Sequence, residues 1–188
     1  MIVAGIDYSL TSPAICVHEG DAWSYKNCSF YYMVQKEKLA MSQPHFYATM
    51  YPEFKSDIHR FDNLASWSLG ILKAHRVERC FIEGYAFGAV GRVFQIAENA
   101  GVLKYKAWKD GLNFEVYPPT VIKKFATTKG NANKEKMYEA FIQENTVDIR
   151  EKVGILNINQ WNPVSDIVDS YYIAKLGFMK ERENVDQA

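Results

Sequence analysis

The chain opens with apolar runs too short for helices and separated by turn chemistry. Residues 1–8 (MIVAGIDY) carry apolar side chains at alternating and at adjacent positions, which predicts a short strand buried on both faces and ending at an acid. Residues 9–13 hold Ser, Thr and Pro in turn order, and residues 14–18 form a second apolar run. Gly20-Asp21 marks a hairpin turn, after which the aromatic-rich segment 23–34 predicts a third strand. The opening therefore reads as a meander of three antiparallel strands.

The period then changes. Segment 35–56 has Pro44, Pro52, His45 and four aromatics without a clear period, and it reads as an ordered insertion or loop. From 57 to 75, Ile58, Phe61, Leu64, Ala65, Leu69 and Leu72 fall at helical spacing. Residues 79–83 (RCFIE) predict a short strand that again ends in an acid, and 84–91 are rich in glycine and aromatics. A helix is predicted over 93–108, a strand over 114–117, and a short helix opening at Pro118-Pro119 and reaching about Phe125. A lysine-rich loop leads to a helix over 133–144. Asn162-Pro163 looks like an N-cap followed by proline in the first turn of a last helix, to about Met179. Three strands followed by alternating helix and strand imply one α/β domain over 1–188: a mixed sheet, antiparallel and then parallel, with helices on both faces.

Composition narrows the class. With 188 residues, 48% of them apolar, the chain can bury one sizeable core. Cys16, Cys28 and Cys80 are an odd number with no paired spacing, so neither a disulfide framework nor a zinc site is expected, and a reducing, cytoplasmic setting fits. Asp7 interrupts the first apolar run before a signal peptide could form, and no stretch reaches the roughly 20 apolar residues of a membrane span. The 22 basic and 22 acidic residues cancel, which by itself argues weakly against nucleic acid. Distribution changes that picture. Residues 119–134 contain Lys123, Lys124, Lys129 and Lys134 and no acid, a local charge of +4.

The acids carry the chemistry. Asp7 and Glu83 each end an apolar strand, where an isolated carboxylate is costly unless it is paired or holds a metal. Asp166 and Asp169 stand three apart on one face of the last helix, with Ser165 and Ser170 rather than a basic residue beside them. If these elements meet, four carboxylates converge, and a hard divalent cation is the natural remedy for their repulsion. Two such ions can activate a water and stabilise the leaving oxygen of a phosphodiester. Asp7 would bridge, Glu83 and Asp169 would each favour one ion, and Asp166 would complete the set. Each acid has a plainer reading: a strand-end Asp caps turns, and acids in a first helical turn favour the macrodipole. The lysine run likewise reads as a solvated loop.

In order along the chain, these motifs resemble the RuvC family of Holliday junction resolvases, which have the ribonuclease H-like fold. Gly5-Ile6-Asp7-Tyr8-Ser9-Leu10-Thr11-Ser12-Pro13 is similar to the family's first strand and turn, and Phe81-Ile82-Glu83 to its second acidic motif. Residues 117–134 (YPPTVIKKFATTKGNANK) resemble its Val/Ile-Lys pair followed by Gly-x-Ala-x-Lys. Residues 165–174 (SDIVDSYYIA) resemble its last helix. The resemblance implies a Mg²⁺-dependent endonuclease holding two ions, with Mn²⁺ as a substitute, that resolves four-way DNA junctions and leaves 5′-phosphate and 3′-hydroxyl ends. It places Asp7, Glu83, Asp166 and Asp169 at the metal and Lys134 among the catalytic residues, with Lys123 near the scissile phosphate. Lys124, Lys129, Gly130 and Asn131 would lie along the DNA, the Gly130-Asn131 turn letting its backbone approach closely. Tyr85 and Phe87 fall where the family has aromatics at the dimer interface and junction centre, and a homodimer is implied, with helix 93–108 at its interface. The divergence is of the kind seen in phage and viral members. Three other readings remain open: a broader branched-DNA or hybrid nuclease of the same fold, an ATPase or sugar-kinase relative, and a catalytically silent DNA-binding module.

Overall fold

A computed structural model describes residues 1–40, 42–85, 93–155 and 157–186. Six strands form one mixed sheet: β1 (Ile2–Asp7), β2 (Ala14–Glu19), β3 (Cys28–Val34), β4 (Phe46–Met50), β5 (Arg79–Glu83) and β6 (Phe114–Tyr117), in the order β4-β3-β2-β1-β5-β6. β1, β2 and β3 form the expected antiparallel meander, and β5 and β6 add parallel to it beyond β1. The helices are α1 (Asp57–Ala74), α2 (Val93–Lys109), α3 (Pro119–Thr127), α4 (Lys134–Asn145), the single turn α5 (Ile149–Lys152) and α6 (Val164–Asp186).

The sheet separates two cores, as the two-sided apolar pattern of β1 requires. Val3 and Phe81 point to one face, where they meet Val168, Tyr171, Ile173 and Ala174 of α6. Ala4, Ile6 and Ile82 point to the other and meet α1 and α2 through Leu64, Leu72 and Leu103. Those three leucines are almost fully buried, and each contributes about 1.5–3 kcal/mol of burial free energy.

Three expectations need correction. Segment 35–56 is not simply a loop: it contributes β4, parallel to β3 at the sheet edge, with Phe46 stacked on Phe30 at 5.0 Å and Tyr47 on Tyr31 at 4.9 Å. The third strand starts at Cys28 and not at Trp23, because Ser24 caps a short 3-10 turn over Tyr25–Asn27. Trp23 turns inward instead, stacking on His18 at 4.4 Å and donating Nε1–H to the Tyr171 hydroxyl at 3.0 Å. Asn162 is not the N-cap of the last helix. Its peptide bond to Pro163 is cis, its side chain turns toward the first turn of the sheet, and the carbonyls at this end of the helix that accept from Ser165 and Ile167 belong to Trp161 and Pro163.

Candidate active site

Two glycines set the depth at which α6 lies on the sheet. A Cβ on Gly5 would stand 2.1 Å from the Ala174 backbone nitrogen and 2.4 Å from the Ser170 carbonyl oxygen, so β1 and α6 touch backbone to backbone. A Cβ on Gly177 would stand 2.2 Å from the ring of Phe81, the residue paired with Gly5 across β1 and β5. Two residues on from Gly5 on the same strand face comes Asp7, and two on from Phe81 comes Glu83. That step is roughly 6.6 Å along a strand, and one helical turn of α6 is about 5.4 Å. Moving back one turn from Ser170 and Ile173 reaches Asp166 and Asp169. The close packing at Gly5 and Gly177 therefore aims all four acids at one end of the sheet.

The side chains there interact. Asp7 and Asp166 lie close enough for each carboxyl to act on the titration of the other. Burial raises the Asp7 pKa well above the usual carboxylate range, and the charges of Asp166, Glu83 and Asp169 raise it further. Burial likewise lifts Asp169 to about 7, helped by Glu83 and Asp166, and lifts Asp166 to about 6 against the pull of Ser12 and Lys134. Glu83 is raised by burial, with the Lys123 ammonium acting the other way. None of the four forms an ion pair among the described residues. They are neighbours, not a finished cage: among the described residues no three Asp, Glu, His or Cys side chains are grouped closely enough to hold an ion. The donor set itself suits a hard cation, being all carboxylate oxygen and short of positive charge.

Each of the remaining site residues has a definite place. Lys123 and Lys134 both lie close enough to lower the pKa of Asp169, and Lys134 also acts on Asp166. The Lys134 ammonium donates to the Asn162 side-chain oxygen at 3.4 Å. Lys124, Lys129 and Asn131 are exposed on the same α3–α4 segment. Gly130 has an internal reason to be glycine, since a Cβ there would meet the Thr120 carbonyl at 3.1 Å. Its closeness is thus to its own chain. Tyr85 is exposed, with the Lys104 ammonium 5.6 Å from its ring centroid. It shares with Asp7, Glu83, Tyr8 and Ile96 a cavity of about 440 Å³. Phe87 lies outside the described residues.

Two residues that sequence reasoning did not assign to the site belong to it. Ser12, 6% exposed, donates its hydroxyl to Asp166 Oδ2 at 2.8 Å, and the Asn162 amide donates to Ser12 Oγ at 2.7 Å. The chain Asn162–Ser12–Asp166 fixes one carboxylate in the cluster. Its only local signal is a polar Thr-Ser-Pro turn directly after the strand-end acid; the contact itself spans 154 residues. The turn is pinned from outside as well. The Leu10 carbonyl accepts from the Tyr51 hydroxyl and from the Arg60 guanidinium, both at 2.6 Å.

Arg150 holds the loop that precedes α6. Its guanidinium is 7% exposed and donates to the carbonyls of Asn157 and Gln160 at 2.8 Å and of Ile158 at 3.0 Å. The rings of Trp161 and Tyr138 lie 4.6 Å and 5.2 Å from it, so its charge is met by carbonyl dipoles and aromatic faces in place of water.

A mixed sheet with strand-end acids beside a helix carrying two more defines a ribonuclease H-like fold. Solved structures narrow the kind. Thermus thermophilus RuvC is 17% identical, the match covering 95% of this chain and 98% of that one, with a TM-score of 0.57. Fowlpox virus resolvase, solved in complex with Holliday junction DNA, is 15% identical over 96% of this chain and 98% of that one, with a TM-score of 0.54. The yeast mitochondrial Holliday junction resolvase is 13% identical over 98% and 83%, with a TM-score of 0.52. No protein-family model matches the sequence, and no curated protein matches it. The chain has the RuvC-type ribonuclease H-like fold. No helix among the described residues is long and apolar enough to cross a membrane.

Proposed function

We propose that this protein is a divalent-cation-dependent endonuclease that resolves four-way DNA junctions as a homodimer. The observation carrying this reading is the convergence of Asp7, Glu83, Asp166 and Asp169 beside Lys123 and Lys134, on a fold shared with proteins solved as junction resolvases. Asp7 interacts with all three other acids, which suits it to bridge two ions, with Glu83 and Asp169 to either side. Magnesium fits the all-oxygen set, and manganese would substitute. When bound, such ions supply charge neutralisation at the attacking and leaving oxygens of a phosphodiester.

The protein's own groups would do the rest. Ser12 holds Asp166 in one rotamer, which pre-organises the cluster. Lys134, placed between Asp166 and Asn162, would bind the scissile phosphate, and Lys123 would approach it from α3. Lys124, Lys129 and Asn131 would follow the DNA backbone away from the cut. Hydrolysis on this geometry leaves 5′-phosphate and 3′-hydroxyl ends, as the resemblance to the RuvC family implies. Two matched cuts need two active sites related by a two-fold axis. The exposed Phe94, Tyr105 and Trp108 of α2 would supply apolar surface for that pairing, with Tyr85 near the junction centre.

The test is a panel of end-labelled four-way junction, fork, duplex and RNA–DNA hybrid, each incubated with Mg²⁺ and with chelator. The reading expects paired, symmetric nicks on the junction in Mg²⁺ only. Cutting of plain duplex at an equal rate, or cutting that survives chelation, would overturn it.

A further inference from the structure

A second cavity, of about 470 Å³, is lined in part by Ser12, the residue whose hydroxyl donates to Asp166. Its construction differs from that of the acid pocket. The floor is apolar, formed by Met33, Val34, Leu39 and Pro163, all buried in the body of the protein. The rim is a ring of carboxamides: Gln35 from the end of β3, and Asn157, Asn159 and Gln160 from the loop before α6. Lys36 stands exposed at the mouth. Among the described residues no carboxylate lines it.

The rim amides are held but not consumed. Gln35 donates to the Thr11 carbonyl at 3.4 Å and Gln160 to the Asn162 carbonyl at 3.3 Å, which leaves the side-chain oxygen of each without a partner among the described residues. Asn157 accepts from the Asn159 backbone at 2.9 Å, and the Asn159 side chain has no partner among the described residues. Arg150 fixes the backbone beneath these residues, so the wall is built before any ligand arrives.

We propose that this cavity receives one unpaired nucleobase of the bound DNA and reads its edge, next to the phosphate held at the acids. This rests on the nuclease reading above and adds a determinant of cleavage sequence to it. A base is flat and apolar on its faces, with alternating donors and acceptors on its edge. An apolar floor and an amide rim match both properties, and carboxamides pair with base edges through adjacent donor and acceptor atoms. The volume lies in the ordinary range for a small-ligand site. Lys36 at the mouth suits the phosphate of the same nucleotide. The position is set by the Asn162–Ser12–Asp166 chain, which joins the cavity wall to the catalytic cluster through two hydrogen bonds. A branch point supplies what the site needs, because bases at a crossover are the least costly to unpair.

Two readouts test it. In the first, four-way junctions carrying each of the four bases in turn at positions flanking the cut are cleaved in competition. One position should discriminate by at least about tenfold between best and worst base, and Asn159→Ala with Gln35→Ala should bring that ratio to within about twofold. In the second, 2-aminopurine is placed at that position, or at each flanking position if no cutting is seen. Its fluorescence is followed on binding to the full chain in Ca²⁺, and the wild-type change should be lost in the double variant. A fluorescence change lost in the variant, without cutting of any branched DNA, would sink the nuclease reading and leave the cavity as a base site. Junction cleavage with no base preference and no fluorescence change would overturn the base site and leave the nuclease standing. Base preference that persists in the double variant would also overturn it.

Discussion

Gly5 and Ala174 meet with no side chain between them: a methyl group on Gly5 would lie 2.1 Å from the Ala174 nitrogen. Backbone cannot step aside as a flexible side chain can. Gly5→Ala should therefore push α6 off β1 and cost at least about 2 kcal/mol, measured as a lower urea midpoint. Gly70, exposed in α1, has nothing within 4 Å of its missing Cβ. Gly70→Ala should instead stabilise the protein by about 0.5–1 kcal/mol through helix propensity and lost unfolded-state freedom. Equal effects of the two substitutions would refute the close contact.

Asp7→Asn tests the cluster in two independent ways. The folded state raises the Asp7 pKa through burial first and then through three neighbouring acids. At neutral pH the ionised form therefore opposes folding, and a neutral isostere should raise the melting temperature in chelator, by about 2–4 °C for each kcal/mol released. The same variant should lose the thermal stabilisation that Mg²⁺ or Mn²⁺ gives the wild type, and should no longer cut a four-way junction while still binding it. Undiminished cutting would remove Asp7 from the mechanism.

Lys134→Ala separates phosphate binding from loop solvation. The side chain is exposed, yet its charge reaches Asp166 and Asp169. Cleavage should fall, and the slope of log binding constant against log salt should shrink by about one. An unchanged slope would return this lysine to ordinary surface.

His18 gives the stability a pH dependence. It is fully buried, stacked on Trp23, with Nε2 accepting from the Ser24 N–H at 3.3 Å. Burial lowers its pKa from the ordinary 6.5, assisted by the terminal amine and opposed by the Ala22 carbonyl and Glu19. A depressed histidine contributes stability that is complete above the unfolded value. That stability is lost as pH falls from about 6.5 toward the lower folded value, where the unfolded chain takes up a proton that the folded one refuses. Urea midpoints should decline over that interval in the wild type and decline less in His18→Gln. Parallel profiles would show that other groups set the slope.

Much of this architecture is written locally in the chain. The strands over 79–83 and 114–117 have the bounds their apolar runs suggest, and α1 begins at the Asp57 that follows a capping serine. Asp7 and Glu83 could be singled out because both end such strands. β4 could not be read, because only Phe46 is buried there while Tyr47 and Met50 are exposed. An edge strand with one buried anchor leaves no clean alternation, and its partner is chosen by tertiary register. Asn162 failed for a related reason. An Asn-Pro pair looks the same whether the amide caps a helix or reaches Ser12, 150 residues away. The acid cluster as a three-dimensional object depends on Gly5 and Gly177, whose role is visible only once the helix lies on the sheet.

Arg150 gives the protein one more property. Because a single guanidinium clamps the Asn157, Ile158 and Gln160 carbonyls, much of the contour of that segment is held through main-chain atoms common to every amino acid. The Asn159 side chain, which holds no backbone among the described residues, can be exchanged without remodelling the segment that presents it, whereas those of Asn157 and Gln160 also tie the backbone at Asn159 and Asn162. Selection can thus retune what the wall recognises while the scaffold beneath stays constant.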